Sequence, residues 1–124
     1  MTQKKYQNII VEKSYQFAIR IVKLCQYLNK EKKEFVLSKQ LLRSGTSIGA
    51  NVEEAIGGIS KKDFTAKMSI AYKEARETNY WIRLLKDTDY IDEKLFKSLN
   101  KDNQELLKIL YSIINSSRLV SSTN

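Results

Sequence analysis

The chain has 124 residues, 42% of them apolar, and 22 lysines and arginines stand against 14 aspartates and glutamates for a formal net charge of +8. One domain of this size buries roughly two-thirds of its unfolded surface and needs no metal or disulfide staple. Its single cysteine, Cys25, excludes an intrachain disulfide, and the absence of histidine removes the commonest general base, the Ser/His and Cys/His nucleophile pairs and the usual transition-metal ligand.

Four segments carry helical periodicity. In the first, residues 6–28, Ile10, Phe17, Ile21, Leu24 and Leu28 form one stripe, with Val11, Ala18, Val22 and Cys25 beside it. Cys25 reads as a small apolar side chain. The charged run NKEKKE, residues 29–34, breaks the pattern. The second segment, residues 35–57, has Leu41, Gly45, Ile48, Val52 and Ile56 at spacings of four, three, four and four. Ser60 and Asp63 resemble a capping box opening the third segment, residues 61–87, whose stripe is Phe64, Met68, Ala71, Ala75, Thr78, Ile82 and Leu85. After the turn DTDYI, Asp92 is a candidate N-cap for the fourth, residues 92–118, striped by Phe96, Leu99, Asn103, Leu106, Leu110 and Ile113. Asn103, polar within an apolar stripe, suits a register-fixing role. No strand pattern appears and proline is absent. The expected fold is all-α, one antiparallel up-down-up-down four-helix bundle domain over residues 1–124.

The N-terminal MTQKKYQN has neither the apolar run nor the cleavage site of a signal peptide. No window approaches the roughly 18 uncharged residues of a membrane span. A cytoplasmic protein with no membrane partner is expected.

All four glycines lie in LLRSGTSIGANVEEAIGG, residues 41–58. A phosphate-binding loop needs glycines five apart followed by lysine and serine or threonine, whereas Gly45 and Gly49 are four apart and followed by Ala50 and Asn51. Within a helix the two stack on one face, at a cost of roughly 0.5–1 kcal/mol each relative to alanine. Close helix packing offsets that cost, against a neighbour in the same chain or in another subunit. Gly57 and Gly58 end the segment.

On the adjoining face Arg43, Ser47, Asn51 and Glu54 stack, and the third segment offers Glu74 and Glu77 between Ile70, Trp81 and Leu84. These strips suit a structural polar network with Arg43 as counter-charge. A carboxylate metal site or acid–base pair is the alternative, weakened by the missing histidine. No catalytic residue, metal or cofactor is expected.

The runs QLLRSGTSIGANVEEA and SKKDFTAKMSIAYKEARETNYWIRLL resemble the signature of the four-helix bundle proteins encoded by intervening sequences of bacterial 23S ribosomal RNA genes, the S23 ribosomal protein family. The family's Ser-Ile-x-x-Asn-Ile-x-Glu pattern falls on Ser47, Ile48, Asn51, Val52 and Glu54, and its later positions on Ser60, Phe64, Glu74 and Glu77. Here Ala55 follows the motif's glutamate where many members place glycine, so the second helix is expected to run longer. The resemblance implies a four-helix bundle assembling into a homopentameric ring with a central channel, and little about activity. A related branch, the accessory variability determinants of diversity-generating retroelements, is highly basic and binds nucleic acid together with a reverse transcriptase; by that analogy RNA or DNA and a reverse transcriptase are candidate partners. Shared fold alone does not transfer function.

Up-down topology gathers Lys4, Lys5, Lys61, Lys62 and Arg118 at one end, with Asp63 nearby. The other end sets Lys30, Lys32 and Lys33 against Glu31, Glu34, Asp87, Asp89, Asp92 and Glu93. Two readings follow: a non-enzymatic, oligomeric accessory protein binding nucleic-acid backbone through the basic end, or a scaffold whose helical faces engage a partner protein.

Overall fold

The computed structural model describes residues 3–123, with side chains described for residues 4–118. Four helices follow one another: α1 (Gln3–Glu31), α2 (Leu37–Ile56), α3 (Lys61–Asp87) and α4 (Glu93–Thr123). Each packs on its neighbour in chain order and α1 closes the bundle against α4, while the diagonal pairs stay apart. The register is antiparallel throughout. Cys25 meets Ser38, Ser44 meets Thr78, Asn79 meets Asn100, and Arg20 meets Asp102.

The core joins the stripes of all four helices. Ile10, Phe17, Ile21 and Leu28 of α1, Leu41 and Ile48 of α2, Met68, Ile82 and Leu85 of α3, and Leu99, Leu106 and Leu110 of α4 are all under 2% exposed or close to it. Burial of such side chains contributes roughly 1.5–3 kcal/mol each. One stripe position departs from expectation: Ile56 is 42% exposed and Ala55 is buried in its place. The helix ends there, so its last turn faces the core through the position three residues after Val52 rather than four. α2 stops at Ile56 and does not run longer than the glycine pair allows.

The turns are built locally. Ser60 Oγ accepts from the Asp63 N–H at 3.1 Å and caps α3, and Asp92 Oδ1 accepts from the Leu95 N–H at 2.8 Å and caps α4. The start of α2 uses a different device. Glu34, 6% exposed, turns its carboxylate inward to accept the N–H groups of Leu37 and Ser38 at the positive end of the helix. Phe35 and Val36 are left outside α2 and exposed, so the helix begins two residues later than its periodicity implies.

α3 closes with the Tyr90 N–H on the Leu85 carbonyl and the Asp89 N–H on that of Lys86, a Schellman arrangement with Asp89 at φ 68° where glycine is usual. None of the glycines has positive φ. Gly58 eases a close approach instead: a Cβ there would lie 3.0 Å from the Ala55 carbonyl oxygen.

Candidate functional site

The antiparallel register sets the start of α1, the turn from α2 to α3 and the end of α4 side by side. Gly49 of α2 lies against Ser14 of α1, two turns inside that end, and the hydroxyls of Thr65 on α3 and Ser117 on α4 hydrogen-bond across it. Lys4, Lys5, Lys61, Lys62 and Arg118 all lie in these end turns and all are exposed. Among the described residues no carboxylate pairs with Lys4, Lys61, Lys62 or Arg118. Of the nearest acids along the chain, Glu54 binds Lys67 at 3.0 Å, and Asp63 is exposed with its backbone N–H on the Ser60 hydroxyl.

The opposite end holds acids among its lysines, and some of them pair. Lys86 lies 3.6 Å from Asp87 and 3.8 Å from Glu93, and over the Phe96 ring at 4.4 Å. Lys97 also reaches Glu93. Lysines and acids are thus interspersed at this end, whereas at the first end the fields of several unpaired cations add.

The strip on α2 and α3 is only partly a network. Arg43 Nη1 is 3.3 Å from Glu74 Oε2, its Nη2 pairs with Glu77, and Glu77 Oε2 also accepts from the Trp81 indole N–H at 3.0 Å. Ser47 and Asn51 do not join it. The Ser47 hydroxyl donates to the Arg43 carbonyl and Asn51 Nδ2 to the Ser47 carbonyl at 2.8 Å, both along their own helix. Glu54 stands apart, on Lys67. The network expected of six residues reduces to Arg43, Glu74 and Glu77 with Trp81, because short polar side chains on a helix reach their own i−4 carbonyl before they reach a neighbouring helix. Among the described residues no three histidine, cysteine, aspartate or glutamate side chains gather to hold a metal ion.

The glycine face packs inside the chain. A Cβ at Gly45 would meet Cγ1 and Cγ2 of Ile21 at 2.8 Å, and one at Gly49 the Ser14 carbonyl oxygen at 3.4 Å, so both glycines serve the approach of α1 to α2. Cys25 lies in the same layer, its thiol donating to the Ser38 carbonyl at 3.3 Å. Burial first, and the Glu34 charge second, push this thiol up to about 11. Its thiolate is suppressed, which suits a packing role and no nucleophilic one.

The model of the 23S rRNA-intervening sequence protein family matches residues 6–112. The chain belongs to that family. Among solved structures, it is similar to a protein of unknown function of the S23 ribosomal protein family from Bacteroides thetaiotaomicron, at 52% identity and a TM-score of 0.88 over 89% of this chain and 98% of that one. No curated protein matches. The family's motif positions thus divide by use in this member: Ile48 and Val52 fill the core, while Glu74 and Glu77 hold Arg43 at the surface.

Sequence reasoning passed over one further group. Between α3 and α4 runs an open groove of about 660 Å³ lined by Tyr72, Arg76, Asn79, Arg83, Lys108 and Tyr111, among others, with no acidic residue in its walls. The signal on α3 was present, since Tyr72, Arg76, Asn79 and Arg83 recur at spacings of four, three and four. Their partners on α4 emerge only from the register between the helices. No described helix is long and apolar enough to cross a membrane.

Proposed function

We propose that this family member is a non-enzymatic, oligomeric accessory protein of the cytoplasm that binds the phosphate backbone of RNA or DNA through its basic end. The observation that carries the reading is the gathering of exposed Lys4, Lys61, Lys62 and Arg118 from α1, α3 and α4 without paired carboxylates among the described residues, while the other end intermixes its lysines with Glu31, Asp87, Asp89, Asp92 and Glu93. Such a cluster neutralises phosphates and releases counterions, which binds backbone without reading bases. The homopentameric ring implied by the family resemblance would repeat the cluster five times around one axis. Repetition raises affinity through effective concentration, since each further contact is intramolecular.

The test compares two variants of equal charge change. Replacing Lys4, Lys61 and Lys62 by glutamine should weaken duplex binding at least tenfold, and replacing Lys30, Lys32 and Lys33 should leave it within about twofold. Equal losses from both triple variants would mean that net charge, not this end, governs binding. Light scattering fixes the subunit number alongside, and a monomeric mass would remove the ring from the account.

A protein-interaction scaffold is the second reading. It is favoured by large apolar side chains left in solvent at the turns, Phe35 at 59%, Val36 at 75% and Ile59 at 95% exposed. Single exposed apolar residues are ordinary, but three of this size at helix connections mark surfaces able to meet a protein such as a reverse transcriptase.

A further inference from the structure

We infer that the groove between α3 and α4 is a binding site for single-stranded nucleic acid, in which bases stack on Tyr111 and Tyr72 while phosphates meet Arg76, Arg83 and Lys108. The inference extends the proposed nucleic-acid function to a second site of different chemistry, and rests on that reading for its biological sense alone.

The walls combine the two groups such a strand needs. Tyr111 is 57% exposed and its ring centroid lies 6.2 Å from that of half-buried Tyr72, at 45°, so one aromatic face is open to a base and backed by a second ring. Arg76 and Lys108 are exposed and have no carboxylate partner among the described residues. Arg83 is held without being neutralised: its Nε donates to Asn79 Oδ1 at 3.0 Å and its guanidinium lies 5.9 Å from the centre of the Tyr80 ring. Asn79 Nδ2 in turn donates to Asn100 Oδ1 at 2.9 Å, which fixes the amide that orients Arg83. The α3–α4 seam thus presents cations with neutral polar neighbours, and the two carboxylates midway along α4, Asp102 and Glu105, are turned to the α1 side where they bind Arg20 and Lys13.

Dimensions favour a strand over a small metabolite or a duplex. A volume of about 660 Å³ exceeds one nucleotide's needs yet is within the range of ligand sites. Arg76 and Arg83 are two helical turns apart, about 10 Å at ~1.5 Å per residue, which is about three nucleotides stacked at ~3.4 Å. A double helix, whose bases are already stacked on one another, offers no free base to the aromatic faces of the groove. Its aromatic end points along α3 toward Lys61 and Lys62 and along α4 toward Arg118, so a strand leaving Tyr111 runs onto the basic end. Stacking on exposed aromatics with tracking cations is the general mode of sequence-tolerant single-strand binding.

The test is fluorescence anisotropy with a labelled oligouridylate, an abasic strand of equal length, an aspartate-rich peptide of equal charge and a DNA duplex. Tyr111→Ala should weaken the oligouridylate about tenfold and leave the abasic strand unchanged. The triple variant Arg76→Gln, Arg83→Gln, Lys108→Gln should lower the log–log salt slope for the single strand by about 2, at about 0.7 per contact, and leave duplex binding as in the unaltered protein. All four side chains are at the surface, and circular dichroism confirms that the variants fold. Oligouridylate binding unchanged in both variants would overturn the inference, as would equal binding of the abasic strand or the peptide. Loss of duplex binding alone on changing the end lysines, with single-strand binding kept, supports the groove as a separate site. Failure of the duplex to bind the unaltered protein would sink the basic-end reading while leaving the groove standing on its single-strand result.

Discussion

Gly45 and Gly49 occupy equivalent positions one turn apart, yet alanine should act oppositely at the two. At Gly45 the new Cβ would lie 2.8 Å from two carbons of Ile21, a β-branched side chain with no exposed surface, so neither helix yields without disturbing the core. Overfilling a packed core costs roughly 1–3 kcal/mol. Alanine regains about 1 kcal/mol of helix propensity over glycine. With two buried carbons overlapped the upper half of the packing range applies, and Gly45→Ala should lose about 1–2 kcal/mol, or about 4–8 °C in Tm for a domain of this size.

At Gly49 the Cβ meets the Ser14 carbonyl oxygen and hydroxyl at 3.4 Å, ordinary contact, so the propensity gain survives and Gly49→Ala should be neutral or up to about 1 kcal/mol more stable. Thermal melts by circular dichroism at one protein concentration read both. An Ile21→Ala background removes the two carbons at 2.8 Å and leaves only Cβ, at 3.2 Å, so there Gly45→Ala should cost much less. A Gly45→Ala protein that melts at or above the original temperature would refute the packing argument, as would an undiminished loss in the Ile21→Ala background.

Asp89→Gly should stabilise the protein by about 0.5–1 kcal/mol, because the left-handed residue closing α3 then carries no Cβ; a lower Tm would mean that the aspartate side chain contributes more than its backbone strain costs. Asn103 is fully buried, its Nδ2 donating to the Ala75 carbonyl at 2.9 Å while its Oδ1 has no partner. Relieving that orphan, Asn103→Leu should leave Tm equal or higher, and a loss above about 1 kcal/mol in urea melts would count against it. Cys25 should resist a thiol reagent at pH 8 in the native protein and react at once in urea. Its thiol is raised from 9.0 to about 11, so the stability linked to the protonated form is complete below about pH 9 and lost as pH climbs through 11. The stability difference between the unaltered protein and Cys25→Ala should therefore shrink across that window, and a constant difference would contradict the assignment.

The helical stripes were legible because a period of 3.6 survives any arrangement of neighbours, which is why Ile21, Ile48, Ile82 and Leu106 were found in the core. Details at helix ends were not. Glu34 sits in a charged run that reads as a solvated break, and only the path of the chain between α1 and α2 brings its carboxylate onto the Leu37 amide. Ile56 fitted the stripe by spacing, but the helix ends with it and the core is filled by Ala55. The candidate basic end follows from topology alone, since it needs only the direction of each helix. The Arg43 strip was half legible: charge complementarity found Glu74 and Glu77, while nothing in the sequence told Ser47 and Asn51 to bond along their own helix. The α3–α4 groove escaped because its cations and tyrosines belong to two helices whose relative register is a property of packing.

The central claim, that the basic end binds phosphate backbone, is tested most directly by the salt dependence of duplex DNA binding in the unaltered protein. The account predicts a linear fall on a log–log plot with a slope of about 0.9 per phosphate contacted, so at least about 3 for the end cations of one subunit and more for a ring. No binding at low salt, or affinity indifferent to salt, would contradict it.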